Sequence, residues 1–462
     1  MTLIKSISGI RGTIGGAQGE NLTPIDAVMY GAAYGTWVKK QIEKESYRVV
    51  VGRDARLSGN MIQQLVINTL VGLGIDVINL DLSTTPTVEM AVVMEKADGG
   101  IILTASHNPK QWNALKLLNA KGEFLDAVAG QEILDIAQGA NMLFATVDNL
   151  GKVTRNDAYI DLHIDEILAL DLVNVKAIKA ANFKVVVDAV NSTGGIAIPL
   201  LLEALGVHPV KLFCTPNGEF PHNPEPLKEH LGDLMHEVVS QGADFGIVVD
   251  PDVDRLAFVD EKGEMFGEEY TLVAVADYVL AHRPGNTVSN MSSSRALRDI
   301  TNKHKGSYTA SAVGEVNVVQ MMKDTDAVIG GEGNGGIIYP ELHYGRDSLV
   351  GVALFLSHLA EQKMTVSALR ASYPSYYMSK QKIALTPQID VDAILEKMAD
   401  TYKAEEITTI DGVKIDFESN WVHLRKSNTE PIIRIYTEAV SQIKADELAN
   451  DIISEIKHIA GL

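Results

Sequence analysis

Two short polar segments hold side chains that suit phosphoryl transfer. The first is residues 104–109 (TASHNP), which contains Ser106, and the second is residues 250–255 (DPDVDR). A serine that carries a phosphoryl group gains about −1.5 to −2 charges, which a cation must offset. Asp250, Asp252 and Asp254 stand at alternate positions, and carboxylates so spaced can hold a hard divalent cation that in turn binds the phosphate. The two segments therefore predict one catalytic centre that is divided between two domains.

The position of Ser106 supports this interpretation. It follows the apolar run 99–103 (GGIIL), so its hydroxyl is expected at the carboxyl end of a strand, where α/β folds place their sites. The Gly-x-Ser-x-Gly elbow of acyl-transfer hydrolases is excluded, because Thr104 and Asn108 stand where that motif requires glycine. A functionless Ser/Asn-Pro turn remains open on this segment alone.

The aspartate segment lies between the apolar runs 245–249 and 256–259, so its acids are expected to cap two strands. Alternating oxygen ligands in a tight turn suit Mg²⁺. A calcium EF-hand is excluded, because Arg255 occupies the sixth position, where that loop needs glycine, and strands flank the segment. An aspartyl-nucleophile phosphatase stays open, since it also presents Asp-x-Asp after an apolar strand. That alternative leaves the Ser106 segment without a role. A solvated acidic turn is the remaining alternative.

Three further segments carry groups that suit a sugar phosphate. Residues 425–431 (RKSNTEP), followed by Arg434, offer guanidinium and hydroxyl groups that could bind a phosphate. A polar hairpin loop without a ligand would have a similar sequence. Residues 330–336 (GGEGNGG) allow backbone to approach a ligand, and Glu332 and Asn334 suit neighbouring sugar hydroxyls. The same segment fits neither a dinucleotide fingerprint nor a Walker loop. Near the start, residues 8–13 (SGIRGT) place Arg11 in a glycine turn.

The composition indicates a globular chain with an acidic surplus. Its 462 residues are 46% hydrophobic, and 40 basic against 60 acidic residues give a net charge of −20. This charge argues against nucleic acid or an anionic membrane as a partner, but local basic clusters still permit an anionic substrate. One cysteine, Cys214, excludes an internal disulfide and a cysteine-based zinc site. The first residues lack the layout of a signal peptide, and no apolar run approaches the ~18 residues of a membrane span, so we expect a cytoplasmic protein.

The chain alternates short β-branched runs with amphipathic stretches, which is typical of α/β domains. Three strand–helix–strand units are predicted, at residues 48–54, 61–74 and 76–80, at 184–188, 196–206 and 209–213, and at 287–288, 295–305 and 307–312. Their similarity indicates an internal repeat. The C-terminal part differs, because strand candidates at 407–417, 421–425 and 432–438 lie between helix candidates at 391–403 and 443–459. This pattern predicts a small α+β domain.

Taken together, the serine, aspartate, glycine-rich and arginine-containing segments resemble the α-D-phosphohexomutase family, in the family's order and across essentially the whole chain. The resemblance implies an α/β fold of four domains around a central cleft, with three related mixed α/β domains and a C-terminal α+β domain. We place these domains at residues 1–152, 153–256, 257–372 and 373–462. They would supply the phosphoserine loop, the metal-binding loop, the sugar-recognition loop and the phosphate-binding loop respectively.

The resemblance also implies roles for single residues. Ser106 would carry the phosphoryl group and, with Asp250, Asp252 and Asp254, bind Mg²⁺. The group around the transferring phosphate would comprise Arg11, His107, Lys116 and Arg255. Glu332 and Asn334 would contact sugar hydroxyls. The phosphate that does not react would be held by Arg425, Ser427, Asn428, Thr429 and Arg434.

The implied reaction moves a phosphate between C6 and C1 of a hexose through a bisphosphate intermediate, with a hexose 1,6-bisphosphate as priming activator. The expected partner is a small sugar phosphate, and the chain would be a monomer or homodimer. The glucose and mannose members usually carry serine and then histidine where Asn334 and Gly336 stand, so the proton-transfer group stays open between His107, Lys116 and His343. Residues 292–295 and 313–317 look closest to the phosphoglucosamine mutase branch. Glucosamine phosphate is therefore favoured over glucose or mannose phosphate.

Overall fold

Four separate β-sheets organise the residues that the computed structural model describes, which are 1–6, 9–139, 142–384, 390–426 and 432–460. Each sheet is built from consecutive parts of the chain. Within this described part, no helix combines the length and the apolar character that crossing a bilayer would require.

The first sheet has seven strands and lies between helices. In chain order the elements are β1 (Ile4–Ser6), β2 (Gly9–Thr13), α1 (Pro24–Gln41), β3 (Tyr47–Arg53), α2 (Gly59–Gly72), β4 (Ile75–Leu82), α3 (Thr85–Met94), β5 (Gly99–Leu103), β6 (Trp112–Leu118), α4 (Ala127–Gly139) and β7 (Val153–Arg155). The strand order is β1-β2-β6-β5-β3-β4-β7. Every residue of β5 is buried, as expected for a strand covered on both faces.

The second and third sheets have four strands each. The second group comprises α5 (Tyr159–Ala169), α6 (Val175–Ala181), β8 (Lys184–Asp188), α7 (Gly194–Ala204), β9 (His208–Leu212), α8 (Gly232–Ser240), β10 (Phe245–Val249) and β11 (Leu256–Val259). The third comprises α9 (Glu268–His282), β12 (Asn286–Asn290), α10 (Ala296–Lys303), β13 (Tyr308–Ser311), α11 (Glu315–Asp324), β14 (Ala327–Glu332), β15 (Gly336–Ile338), α12 (Ser348–Gln362) and α13 (Val366–Ala371).

The predicted internal repeat is confirmed by the order of strands. The second sheet runs β11-β10-β8-β9, the third runs β15-β14-β12-β13, and the first contains the matching run β6-β5-β3-β4. In each run the first three strands along the chain are parallel and the fourth is antiparallel. The predicted boundaries at 152/153 and 256/257 stay predictions. Strand β7 nevertheless joins the first sheet, and β11 belongs wholly to the second.

This repeat brings three of the predicted functional segments to one topological position. The connection from the third strand of each unit to its antiparallel fourth strand holds Ser106 in the first unit, the three aspartates in the second, and residues 333–335 in the third. All three connections leave the carboxyl end of a buried central strand, where α/β sheets bind ligands.

The C-terminal domain is the predicted α+β unit, with two corrections. Its elements are β16 (Tyr377–Ala384), α14 (Val391–Thr401), β17 (Glu406–Thr408), β18 (Val413–Asp416), β19 (Trp421–Lys426), β20 (Ile432–Ala439) and α15 (Gln442–Ala460). The single strand expected at 407–417 is two strands, because Gly412 turns the chain with a φ of +73°. Strand β16 was not expected. It is a mostly exposed edge strand that pairs antiparallel with β20, so its sequence lacks a long apolar pattern.

The second and third domains share one hydrophobic core. Phe258 of β11 stacks on Phe355 of α12 with ring centroids 3.8 Å apart, and Phe245 and Phe266 meet the same ring edge-on. The buried cluster around them extends from α5 to α13. The loops that follow β10 and β14 are therefore carried by one packed body.

Candidate active site

Ser106 lies in a tight turn just beyond β5, with its backbone in the left-handed region. Its φ is +48°, a conformation that costs a residue with a side chain about 1–3 kcal/mol. The Ser106 N–H donates to Thr104 Oγ1 at 2.9 Å, and that hydroxyl donates to Asp54 Oδ2 at 2.7 Å. The side chain is 3% exposed. Surrounding contacts therefore hold the serine in a strained, enclosed position.

Arg56 fixes this turn, and sequence reasoning missed it. Its side chain is fully buried, and its Nε lies 2.9 Å from Asp54 Oδ2. The guanidinium donates to four backbone carbonyls of the serine loop, those of Ser106, Asn108, Pro109 and Trp112. The only sequence signal was an acid and a base just past β3, the strand that pairs with β5. Such charged strand ends are common, so the signal carries little information without the fold.

The serine and aspartate loops meet, as predicted. Ser106 Oγ donates to Asp250 Oδ2 at 2.7 Å. Asp250 Oδ1 accepts the backbone N–H groups of Asp254 and Arg255, both at 3.1 Å. Burial, together with the charges of Asp252 and Asp254, raises the pKa of Asp250 well above its usual range. The two loops therefore form a single centre at the junction of the first and second domains.

The three aspartates form a compact set of oxygen donors. One carboxylate oxygen from each of Asp250, Asp252 and Asp254 lies within 4.8 Å of the others, and all three residues are fully buried. Asp252 Oδ1 and Asp254 Oδ1 have no hydrogen-bond partner among the described residues. Buried carboxylate oxygens left in this state fit a hard divalent cation. The triad can therefore bind a metal ion.

Lys116 supplies a fixed positive charge beside this triad. Its Nζ lies 2.7 Å from Asp252 Oδ2 and 3.4 Å from Asp254 Oδ2, and the residue is 5% exposed. Burial alone would lower the pKa of Lys116, but the two carboxylates outweigh it and raise the pKa. Burial would raise the pKa of Asp252, and the Lys116 ammonium lowers it below the usual range. Thr85 Oγ1 also donates to Asp252 Oδ2, at 2.6 Å.

His107 contacts the serine, and Arg11 contacts the serine loop. His107 Nδ1 is 3.3 Å from Ser106 Oγ. Burial, with Arg255 and Arg11 nearby, lowers the pKa of His107 to about 2, so its imidazole is neutral at physiological pH. Arg11 Nη1 donates to Asn108 Oδ1 at 3.0 Å, which ties the N-terminal hairpin to the serine loop. Arg255 Nη1 donates to Glu225 Oε1 at 3.2 Å.

The glycine-rich loop touches the end of the aspartate loop. Gly335 has a φ of +85°, its carbonyl accepts the Leu256 N–H at 3.2 Å, and a Cβ there would lie 2.1 Å from Leu256 O. Only glycine fits this approach. Glu332 is 6% exposed and accepts from Asn290 Nδ2 at 2.9 Å. Asn334 Nδ2 lies 3.4 Å from Glu332 Oε2, so the two predicted sugar contacts are adjacent.

Arg346 connects the two loops, and the sequence analysis did not predict this role. Its Nη2 lies 2.7 Å from Asp254 Oδ2, its Nη1 lies 2.9 Å from Glu332 Oε2, and its Nε lies 3.0 Å from Glu315 Oε2. Three carboxylates, from the aspartate loop, the start of α11 and the end of β14, thus share one buried guanidinium. The ion pairs of Arg346 therefore fix the position of the aspartate triad relative to the glycine-rich loop.

The fourth domain contributes Arg425 and Arg434, which are directly opposite each other on β19 and β20. Like charges at such a position destabilise a sheet unless an anion lies between them. Arg425 Nε lies 2.8 Å from Asp411 Oδ2, and that oxygen also accepts the Val313 N–H at 2.9 Å. The other predicted phosphate contacts, Ser427, Asn428 and Thr429, lie outside the described residues.

His343, which the sequence left open as a proton-transfer group, pairs with residues other than Ser106 and the aspartate triad. Its ring nitrogens are 3.3 Å from Asp347 Oδ2 and 3.4 Å from Glu89 Oε2. The site described above holds His107 and Lys116 next to the serine and the triad, and His343 belongs to a different cluster.

Comparison with known proteins identifies the family. Four sequence profiles described as phosphoglucomutase/phosphomannomutase match in order: α/β/α domain I at residues 3–142, α/β/α domain II at 161–263, α/β/α domain III at 267–377, and the C-terminal domain at 381–455. A phosphoglucomutase/phosphomannomutase of Thermococcus kodakarensis is 37% identical over 442 residues, which cover 94% of this chain and 96% of that protein.

Two further comparisons agree. A probable phosphoglucosamine mutase of Methanopyrus kandleri is 32% identical over 455 residues, which cover 97% of each chain. A crystal structure of a phosphoglucomutase/phosphomannomutase family protein from Burkholderia thailandensis superposes with a TM-score of 0.85 at 26% identity, covering 99% of this chain and 98% of that one. This chain therefore belongs to the phosphoglucomutase/phosphomannomutase family of α-D-phosphohexomutases and is an isomerase that transfers phosphate.

Proposed function

We propose that the chain interconverts the 6-phosphate and the 1-phosphate of glucosamine through a phosphorylated Ser106. The observation that carries this proposal is the 2.7 Å contact between Ser106 Oγ and Asp250 Oδ2, which joins a nucleophile from one domain to a set of metal ligands from the next. Mg²⁺ held by the three aspartates would supply charge neutralisation for the phosphoserine.

The reaction needs two balanced transfers. In the first, the bond between phosphorus and Ser106 Oγ breaks while a substrate hydroxyl oxygen bonds to phosphorus, and the proton of that hydroxyl passes to Ser106 Oγ, giving a hexose bisphosphate and a free serine. In the second, the bisphosphate has turned end for end, and its other phosphate returns to Ser106. Such transfers depend mainly on in-line positioning and on offsetting negative charge. The left-handed turn held by Arg56 serves the positioning, because it fixes Ser106 Oγ against the triad.

The side chains around the serine serve two purposes in this reaction, which are charge neutralisation and hydrogen bonding to Ser106. Lys116 keeps its proton, because the neighbouring carboxylates raise its pKa, so it offsets charge and does not abstract a proton. Arg11 and Arg255, which lie near His107, serve the same purpose. The neutral imidazole of His107 is placed to exchange a hydrogen bond with Ser106 Oγ as the phosphoryl group leaves or returns.

The electrostatics around the sugar loop support an amino sugar. Glu332, Glu315 and Asp254 surround the single guanidinium of Arg346, and only Asp254 also pairs with Lys116, so these carboxylates outnumber their cations. Burial is the main cause that raises the pKa of Glu315. The guanidinium of Arg346 acts in the opposite direction, and the charge of Asp254 adds to the increase. An ammonium group on the substrate would be attracted to this surplus, whereas a neutral hydroxyl would gain less. Glucose and mannose phosphates are the alternative substrates.

A coupled assay of kcat/KM tests the substrate. We expect glucosamine 6-phosphate to exceed glucose, mannose and N-acetylglucosamine 6-phosphates by about 10-fold or more, the effect of roughly 1.4 kcal/mol. Glu332→Gln should reduce this preference, and Glu264→Gln, at an exposed glutamate, should leave it unchanged. Equal or higher kcat/KM for glucose or mannose 6-phosphate would assign the chain to those substrates.

Peptide mass spectrometry tests the chemistry. The proposal expects phosphate on Ser106 after incubation with a hexose 1,6-bisphosphate. An aspartyl-nucleophile phosphatase would instead carry phosphate on Asp250 and release it to water. Release of inorganic phosphate without isomerisation would contradict the mutase reaction.

A further inference from the structure

A second group of side chains that could bind a metal ion shares no residue with the aspartate triad. It is formed by His163 on α5, His343 in the connection after β15, and Asp347 at the start of α12. His163 Nε2 is 2.9 Å and His343 Nε2 is 3.3 Å from the same oxygen, Asp347 Oδ2. One ligand atom from each residue lies within 4.8 Å of the other two. Two imidazoles and one carboxylate in this arrangement form a three-ligand set for a divalent transition metal.

Each of these residues has a polar group near the side that faces away from the cluster. Thr87 Oγ1 lies 3.0 Å from His163 Nδ1, and Glu89 Oε2 lies 3.4 Å from His343 Nδ1. Asp347 Oδ1 accepts the N–H groups that open α12, from Leu349 at 2.8 Å and from Val350 at 3.3 Å. Metal-binding histidines usually present one nitrogen to the metal and the other to a hydroxyl or carboxylate. His163 and Asp347 already have such partners, and the Glu89 carboxylate lies near the outer nitrogen of His343.

Glu89 provides an independent observation. It is 1% exposed, and neither of its carboxylate oxygens has a hydrogen-bond partner among the residues described. A buried carboxylate without a donor is costly. A metal on His343 Nε2 would leave the proton of that ring on Nδ1, which is the nitrogen that faces Glu89.

We propose that His163, His343 and Asp347 bind a transition-metal dication of the Zn²⁺ class, with Thr87 and Glu89 as outer partners. Imidazole nitrogen selects such ions over Mg²⁺, which prefers the all-oxygen ligands of the aspartate triad. The site joins three domains, because α3 carries Thr87 and Glu89, α5 carries His163, and the third domain carries the other ligands. It also fixes Asp347, which follows Arg346 in the chain.

The test begins with the unsubstituted protein, prepared without a histidine tag and kept in excess Mg²⁺. After incubation with Zn²⁺ and dialysis, mass-spectrometric metal analysis should find about one equivalent of Zn²⁺ per chain. Co²⁺ in its place should give the visible absorption of a tetrahedral site. No retained Zn²⁺ and no such absorption would overturn the proposal.

Variants locate the bound ion. Asp252→Asn, in the oxygen triad, should keep the Zn²⁺, and His163→Gln should lose it. Glu89→Gln leaves all three ligands in place and should weaken Zn²⁺ binding by about 10–100-fold. His236→Gln, at an exposed histidine, is the matched control and should bind as the unsubstituted chain does. Loss of Zn²⁺ from Asp252→Asn, or its full retention by His163→Gln, would overturn the assignment. If His163→Gln does not fold, a Zn²⁺ titration of Glu89→Gln decides whether the ion binds at this site.

Discussion

Ser106 Oγ and Asp250 Oδ2 lie 2.7 Å apart although 144 positions separate the two residues in the chain. The contact follows from the repeat, because each residue stands just after the third strand of its unit. Both loops also contain backbone strain, with Ser106 at a φ of +48° and the β-branched Val253 at +66°. Val253 is fully buried, and its carbonyl accepts the Ser348 N–H at 3.2 Å. Such strain persists only where the surroundings over-determine the geometry, so the contact is held rigidly.

Replacing the serine should stop the reaction without removing substrate binding. Ser106→Ala deletes the oxygen that accepts the phosphoryl group and leaves the arginines and the sugar loop intact. We expect turnover to fall by at least about 1,000-fold, the scale on which a lost covalent nucleophile acts, while the Kd for the sugar phosphate changes little. Initial rates and calorimetric titration measure the two effects.

Ser240→Ala removes an exposed hydroxyl from α8 and is the control for this substitution. It should retain both the rate and the phosphorylation of Ser106. Turnover of Ser106→Ala near that of the control would rule out Ser106 as the nucleophile.

Removing one metal ligand should couple the loss of activity to the loss of metal dependence. In Asp252→Asn an amide faces Lys116 and Thr85, so the oxygen set loses a charge while its shape is kept. We expect the rate to fall by about 100-fold or more, because the charge neutralisation supplied by a bound dication is worth several kcal/mol. Rates measured across a Mg²⁺ titration, with and without chelator, check this.

Asp165→Asn, at an exposed position of α5, controls for the change from carboxylate to amide. Its Mg²⁺ dependence should match that of the unsubstituted chain. Full activity of the unsubstituted chain in excess chelator would contradict a metal role for the triad.

The sequence predicted the residues whose signals are local and missed those whose partners are distant. Ser106 and the three aspartates were found because each segment follows a short apolar run that becomes a buried strand. Arg56 was missed, because it acts on backbone carbonyls about 50 positions away that no side-chain pattern reveals. Arg346 was missed for the same reason, since its carboxylate partners come from three separate segments of the chain.

The secondary structure was likewise predicted where the sequence signal is local and missed where it depends on a distant partner. The three parallel units were predicted because their strands are apolar and their helices amphipathic. Strand β16 was missed, because it lies at a sheet edge with only two of its eight side chains buried, and the backbone pairing with β20 defines it instead. Pairing at an edge depends on the partner strand and leaves little trace in the sequence.

Removing the guanidinium of Arg346 should be costly to the fold. Arg346→Met would leave Asp254, Glu332 and Glu315 without their shared counter-charge. Breaking a buried ion pair by deleting one partner costs about 3–5 kcal/mol. Arg346→Lys should lose less, because it keeps the charge and gives up only the forked geometry. Urea unfolding followed by circular dichroism measures the free energy of unfolding.

Arg155→Met is the control, because the Arg155 side chain is 64% exposed and pairs with Asp81 at the surface. Its effect should stay within about 0.5 kcal/mol. If Arg346→Met and Arg155→Met were equally stable, the buried network would contribute nothing to the fold.

Glu269 should make the stability of the third domain depend on pH. It lies beneath the sugar loop, where a Cβ on Gly333 would be 2.1 Å from its Oε2, and it accepts the Ser294 N–H at 2.9 Å. Burial raises the pKa of Glu269 to about 8, against the opposing charge of Lys380. The folded chain therefore holds a proton that the unfolded chain, with a glutamate pKa of about 4.3, releases. Between those two pH values the free energy of unfolding falls as pH rises.

Glu269→Gln removes this titration and keeps an oxygen for the Ser294 N–H. The stability of the variant relative to the unsubstituted chain should rise between about pH 4.3 and 8, by at most about 1.4 kcal/mol per pH unit, and level off above pH 8. Glu396→Gln, at an exposed glutamate of α14, should show no such trend. Urea unfolding of the three proteins at pH 5, 7 and 9 measures the difference. A constant difference between Glu269→Gln and the unsubstituted chain across this range would mean that Glu269 is already ionised in the folded protein, and that the sugar loop rests on a charged carboxylate.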